Sequence, residues 1–89
     1  MAQMTKKTIL GFRVADRPKH IPDVQSVLTE FGCCIKTRIG LHDVNDNWCS
    51  PNGTILIELF GEEAMCKELE TRLRGIEGVA VQKMEFDIA

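Results

Sequence analysis

The chain has no apolar run long enough to span a bilayer, no excess of positive charge and no secretion signal. Its longest mostly apolar stretches, such as Thr54–Phe60, fall far short of the ~20 residues that a membrane helix takes. Lys and Arg number 11 against 13 Asp and Glu, a formal net charge of −2. No overall positive field draws in nucleic acid, and no direct nucleic-acid partner is expected. The opening MAQMTKK carries two lysines but runs into an alternating pattern, without an apolar core and a small-residue cleavage site. Without such a signal, the four cysteines point to reduced thiols and a cytoplasmic setting.

Motifs of catalysis and cofactor binding are missing as well. No Gly-rich phosphate loop follows a strand, and no GxSxG or nucleophile–base spacing occurs. Cys33, Cys34, Cys49 and Cys66 do not have iron–sulfur spacing, and no paired CxxC, HxH or HExxH is present. The chain reads as non-catalytic, with no cofactor.

What the chain does contain is an ordered change of apolar period. Thr8–Ala15 alternates Ile9, Gly11 and Arg13 with Leu10, Phe12 and Val14, which predicts a strand broken by Asp16-Arg17-Pro18. A helix is predicted to open at Pro22 and Asp23, where a missing N–H costs nothing and a carboxylate meets the positive end of the dipole. Ile21, Val24, Val27, Leu28 and Phe31 share one face of it, and Gly32 is its expected C-terminal cap. Ile35, Thr37, Ile39 and Leu41 line one side of a second strand, against Lys36, Arg38 and His42. Adjacent Cys33 and Cys34 are expected on opposite faces of a strand, poorly placed to pair. Asp43–Gly53 is dense in Asp, Asn, Pro and Gly and predicts a long hairpin loop.

Thr54–Phe60 is the third predicted strand, with Ile55, Ile57 and Leu59 on one side and Leu56 and Phe60 on the other. Glu62-Glu63 begin a second helix whose stripe is Met65, Cys66, Leu69, Leu73 and Ile76. Glu63–Lys67, Glu68–Arg72 and Glu70–Arg74 have favourable i,i+4 order along it. Val79–Ile88 is the last strand, with Val79 and Val81 opposed to Met84, Phe86 and Ile88. The order β-α-β-β-α-β is that of an α+β, ferredoxin-like βαββαβ sandwich: a four-stranded antiparallel sheet with two helices on one face. It forms one domain over residues 1–89, with an ordered core of about 7–88.

Both sheet faces carry apolar residues in this scheme, although helices cover only one of them. Burial of the open face in self-association, as a dimer or tetramer, is the expectation for so small a core. Two places hold chemistry-bearing residues. The turn RVADRPKH gathers Arg13, Asp16, Arg17, Lys19 and His20, which is first of all the make-up of a solvated basic turn and could also hold a small anion or an amino acid near a helix start. The hairpin holds His42, Asp43, Asp46, Trp48 and Cys49. An imidazole, a thiolate and a carboxylate there suit zinc or nickel, with the missing ligands supplied by another subunit, yet the same residues serve as ordinary turn formers. The candidate ligand-binding residues are therefore Arg13, Asp16, Arg17, Arg38, His42, Trp48 and Cys49, with no metal assigned. Acylphosphatases and small copper chaperones share the topology, but the loop and cysteine motifs of neither occur.

The run ILGFRVADR…VQSVLTEFG…IKTRIGLHD, a loop and GTILIELFG resemble the short ACT-like iron-only hydrogenase system regulators. The shared pattern covers roughly Lys7 to Ile88 and includes Arg38-Ile39-Gly40-Leu41 as the RxGL second strand. The resemblance implies an ACT-like βαββαβ domain that assembles through its sheets and regulates without catalysing. That family is similar in fold to the metal-binding domain of the nickel-responsive repressor, whose histidine pair and cysteine are loosely matched here by His42 and Cys49. Gly40 stands where the second histidine of the pair would be, and the repressor's DNA-binding segment has no counterpart. The functional expectation is a small-molecule-responsive regulator, with a His42–Cys49 metal sensor or carrier, or a protein-interaction subunit, as alternatives.

Overall fold

The computed structural model describes residues 6–44 and 49–87, with the backbone alone at residues 42–44 and 49–52. Its elements are β1 (Lys6–Val14), α1 (Arg17–Glu30), a 3-10 turn (Gly32–Cys34), β2 (Ile35–Val44), β3 (Cys49–Leu59), α2 (Glu63–Arg74) and β4 (Val79–Asp87). The strands form one antiparallel sheet in the order β2-β3-β1-β4. This is the ferredoxin-like α+β fold.

The alternation of β1 sends Thr8, Leu10, Phe12 and Val14 to the buried side and Ile9, Gly11 and Arg13 to the other. Ile55, Ile57 and Leu59 of β3 share the buried side, where Val24, Val27 and Leu28 of α1 and Cys66, Leu69 and Leu73 of α2 close over them. Burial of each such side chain contributes about 1.5–3 kcal/mol. Val79 and Val81 of β4 pack against this core. Met84 and Phe86 stand half exposed on the opposite face, as predicted.

Four local expectations need correction. Helix α1 starts at Arg17 instead of Pro22: Pro18 occupies its first turn, where proline is tolerated, and the Asp16 carbonyl accepts from the Lys19 and His20 amides at 3.0 and 3.2 Å. Pro22 lies inside the helix and forgoes one bond, to the carbonyl of Pro18. At the far end Phe31 is the cap, and Gly32 opens the 3-10 turn. Cys33 and Cys34 thus sit in a turn, not a strand.

The third correction concerns β2. Ile35 pairs with Leu59 but Thr37 pairs with Glu58, so β2 advances two residues where β3 advances one. This bulge at Lys36 inverts the strand's sidedness. Ile35 faces the core, whereas Ile39 and Leu41 turn to the open face and are about half exposed, at 49% and 48%. The fourth is the hairpin. The β2–β3 ladder runs on past a second shift to the pair Val44–Cys49, so strand occupies most of the segment predicted as loop.

Of the three i,i+4 pairs, Glu63–Lys67 and Glu70–Arg74 form, at 3.8 and 2.9 Å. Arg72 instead reaches across to α1, where its guanidinium donates two hydrogen bonds to Glu30 at 2.9 and 3.0 Å and lies 5.6 Å from the centre of the Phe31 ring. The guanidinium's planar fork favours this bidentate arrangement.

Candidate functional site

A cleft of about 390 Å³ lies between the first half of α1 and the edge of the sheet. Helix α1 contributes Arg17, Ile21 and Gln25, β2 contributes Arg38 and Gly40, and β3 contributes Ile55. The bulge at Lys36 makes this wall. Without it Arg38 would face the other side of the sheet; with it, Arg38 pairs with Ile57 and Gly40 with Ile55, on the side that the helices cover. A Cβ at Gly40 would meet nothing within 4 Å, so the groove runs on over a strand position that has no side chain. At Gly53 a Cβ would come 3.1 Å from the Arg17 Cδ; glycine there lets the arginine lie close against the strand.

The cleft therefore carries two guanidinium groups from different elements above an apolar floor. Guanidinium forks match carboxylate or phosphate oxygens and bind them with charge-assisted bonds. Arg38 has no hydrogen bond or ion pair among the described residues, whereas Arg17 is already engaged. A wider depression of about 490 Å³ between the helices is lined by Arg72, whose guanidinium is already engaged by Glu30.

The fold distributes the seven predicted site residues unevenly. Arg17 and Arg38 meet at the cleft, although 21 positions separate them in the chain. Arg13 lies on the open face and donates a 3.0 Å hydrogen bond to the Thr54 Oγ1. Asp16 is the helix cap, in the left-handed region at φ 52°, and supplies its carbonyl to the first turn. His20 lies against Gly78, whose φ of +82° and missing Cβ admit the ring. The backbone of His42 pairs with Gly53 and that of Cys49 with Val44. The side chains of His42 and Cys49, and all of Trp48, lie outside the described residues. Among the described residues, no group of three His, Cys, Asp or Glu side chains is arranged to hold a metal ion.

Gly40, Ile21 and Gln25 also line the cleft and were not among the residues predicted for the site. The available signal was a glycine between Arg38 and His42 in a predicted strand interior, which often marks a close approach or a gap. A separate gathering involves thiols. The Cys33 and Cys34 Sγ atoms are 4.0 Å apart, and Cys66 donates to the Phe60 carbonyl at 3.4 Å. Burial, then Cys66 and Cys33, push the Cys34 thiol up to about 12, and burial also raises Cys66. Buried thiols held protonated in this way are inert, structural groups.

No family model matches the chain, and no curated protein matches it. Among solved structures it is similar to an uncharacterized protein of Thermotoga maritima, with 26% identity and a TM-score of 0.76 over 92% of this chain and 99% of that one. It is also similar to CPII of Thiomonas intermedia, a nitrogen regulatory PII-like protein solved with ADP, AMP and acetate, at 13% identity and a TM-score of 0.50 over 97% and 92% of the two chains. A dimeric ferredoxin-like protein from an uncultured marine organism matches at 10% identity and a TM-score of 0.50, over 94% and 95%. The last two likenesses concern the fold alone. No helix of the described residues is long and apolar enough to cross a membrane.

Proposed function

We propose that this chain is a non-catalytic regulatory domain that acts as an oligomer and responds to a small molecule held between α1 and β2. The observation that carries the reading is the cleft, where Arg17 and Arg38 converge above apolar residues. Apolar walls with a few converging polar groups are the usual build of a small-molecule site. CPII, a protein of similar fold, was solved with ADP, AMP and acetate bound, a precedent for small ligands on this fold.

Assembly runs through the open sheet face. Ile39, Leu41, Met84 and Phe86 are each about half exposed there. Polar groups lie between them on the two central strands: Lys7 pairs with Glu58 at 2.9 Å, which also accepts from Thr37 at 3.2 Å, and Arg13 bonds Thr54 towards the other end of the strands. Apolar residues mixed with paired polar groups are within the ordinary make-up of a protein interface. A ligand that prefers one assembly shifts the equilibrium by its differential affinity, and so regulates without chemistry. The resemblance of the chain to ACT-like iron-only hydrogenase system regulators makes that system the one we assign to it, with regulation exerted through a protein partner.

Native mass spectrometry of protein purified under reducing, anaerobic conditions, without added metal or chelator, tests this reading. A dimer or tetramer carrying a small organic mass supports it. A bare monomer overturns it, and a metal-sized increment per subunit replaces it with a His42–Cys49 metal sensor.

A further inference from the structure

We propose that β4 pairs edge to edge with β4 of a second copy, antiparallel and centred on Met84, so that two sheets join into one. This contact is additional to the open-face assembly and does not involve the cleft.

The phase of the backbone groups comes first. The β1–β4 register runs from Lys6–Asp87 to Val14–Val79 without a shift, and beyond it the Ala15 amide donates to the Gly78 carbonyl at 2.8 Å. Hydrogen-bonded and non-hydrogen-bonded pairs alternate along an antiparallel ladder. Ala80, Gln82, Met84 and Phe86 therefore spend their backbone groups on β1, while Val81, Lys83, Glu85 and Asp87 aim theirs away from it. The Val81 carbonyl agrees with this phase, since it accepts from the Arg74 guanidinium at 3.0 Å. Among the described residues β4 is the last strand on this side of the sheet, so no strand meets the outward groups of Lys83, Glu85 and Asp87. Such an edge is a template for another strand. The opposite edge is blunted, because β2 shifts register at Lys36 and again between His42 and Val44.

Charge selects the partner and the register. With these residues turned outward, a two-fold axis can set Lys83 opposite Lys83, Glu85 opposite Glu85, or Lys83 opposite Glu85. The first two bring like charges face to face, whereas the third joins opposite charges twice. A slip one way runs Lys83 against Val81, where Arg74 already sits, and a slip the other way sets Glu85 against Asp87. A lone lysine on an edge discourages pairing. Here Glu85 answers it, and the strand fits a second copy of itself in an isologous contact.

The open face agrees with this register. Met84 pairs with Ile9 on that face, while Lys83 and Glu85 pair with Leu10 and Thr8 on the helix-covered side. The axis sets Met84 against Met84 in a non-hydrogen-bonded pair, the type that brings side chains closer. Half-exposed Ile39 and Met84 then belong to one apolar row that continues through the axis into the other chain. So short a ladder buries too little surface to stand alone. It holds while the doubled row is covered, and a charge at Leu56 that parts the faces releases the edges as well.

The experiment is sedimentation equilibrium of the full chain as wild type, Lys83→Glu, Glu85→Lys and an equimolar mixture of the two variants, with amide hydrogen exchange of the assembled wild type by NMR. Each single variant sets like charges opposite each other at both positions and is expected to associate at least tenfold more weakly, its mass falling to half or less. In the mixture one chain presents two carboxylates and the other two ammonium groups, and the wild-type mass is expected to return. Lys83→Glu also gives up the 3.2 Å contact with Glu70, whereas Glu85 has only the 4.0 Å contact with Lys83 among the described residues. Should Lys83→Glu fail to fold, Glu85→Lys and the exchange rates carry the test.

In the assembled wild type the Lys83 and Glu85 amides are expected to exchange within about tenfold of those of Gln82 and Met84, which bond to β1. Faster exchange at Lys83 and Glu85, or unchanged mass in both single variants, overturns the edge contact and leaves the open face as the site of assembly. A loss of mass that the mixture does not restore overturns the register. A monomeric wild type overturns the edge contact together with the proposed assembly.

Discussion

Ile39 and Leu56 stand opposite each other across the β2–β3 ladder, on the sheet face that neither helix covers. Gly11 pairs with Leu56 from the other side, and a Cβ on it would come 3.1 Å from the Leu56 Cδ2. Leu56 thus lies down over the central strand. Next to it Ile9 pairs with Met84, and the row ends at Phe86, which pairs with Lys7. The result is an apolar diagonal across all four strands, from Ile39 through Leu56 and Ile9 to Met84, with Glu58, Gln82 and Lys7 beside it.

A charge placed on this face should separate the copies. Leu56→Glu or Met84→Glu is expected to lower the sedimentation-equilibrium mass to that of a monomer and to leave the helical circular dichroism unchanged, since neither side chain belongs to the core. Intact oligomers in both variants would place the contact on another face.

Leu69 and Leu73 are fully buried between α2 and the sheet. Leu69→Ala should cost roughly 2–5 kcal/mol through lost transfer energy and the cavity left behind. Urea unfolding of a variant kept monomeric by Met84→Glu reads this directly, and a loss under about 1 kcal/mol would mean that the site collapses fully.

Gly78 combines a φ of +82° with the His20 ring within 2.6 Å of where a Cβ would be. Its carbonyl also accepts from the Ala15 amide at 2.8 Å, which ties the first turn to the start of β4. Gly78→Ala should destabilise by about 1–2 kcal/mol from the left-handed backbone, with a further steric part from the ring. Adding His20→Ala should recover the steric part alone. Full recovery in the double variant would show that the backbone carries no cost.

Acid should weaken the fold through its carboxylates. The Arg72 hydrogen bonds hold Glu30 below its ordinary value of 4.5, and the Lys7 hydrogen bond does the same for Glu58. At Glu70 burial opposes the shift, but Arg74 and Lys83 outweigh it and the net direction is also down. For each group the unfolded chain binds the proton more readily, so stability rises with pH across this range. The contribution is whole above about 4.5 and is lost as pH falls through the depressed values. Thermal melts from pH 7 to pH 2.5 should show this decline, with a smaller decline in Arg72→Ala. An identical profile in that variant would remove Glu30 from the account.

Thiol chemistry should distinguish neighbours. Cys33 is exposed, whereas Cys34 and Cys66 are buried and their thiols are held protonated. Iodoacetamide at pH 8 followed by peptide mapping should find Cys33 modified at least tenfold faster than the other two. Comparable rates would show that the end of α1 opens readily.

The order of elements, the sheet's two apolar faces and the core stripe of α2 were legible in the sequence because they depend on local period. Alternation declares a strand and the 3.6-residue repeat a helix, whatever lies across the molecule. Leu10, Phe12, Ile57, Leu69 and Leu73 were readable as core for that reason. The start of α1 was misplaced because two prolines compete for the first turn, and the capping by the Asp16 carbonyl leaves no mark in side-chain chemistry.

Only the tertiary structure decided the sidedness of β2. One extra residue at Lys36, invisible to a period-two pattern, exchanged Ile39 and Arg38 between faces. That exchange took an apolar pair out to the open sheet and brought Arg38 beside Arg17. Likewise Arg72 passed over Glu68, its expected helical partner, for Glu30 on the neighbouring helix. Period is a property of adjacent residues. Register and partner choice depend on which atoms from distant segments compete for the same space, and that competition is settled only when the layers pack.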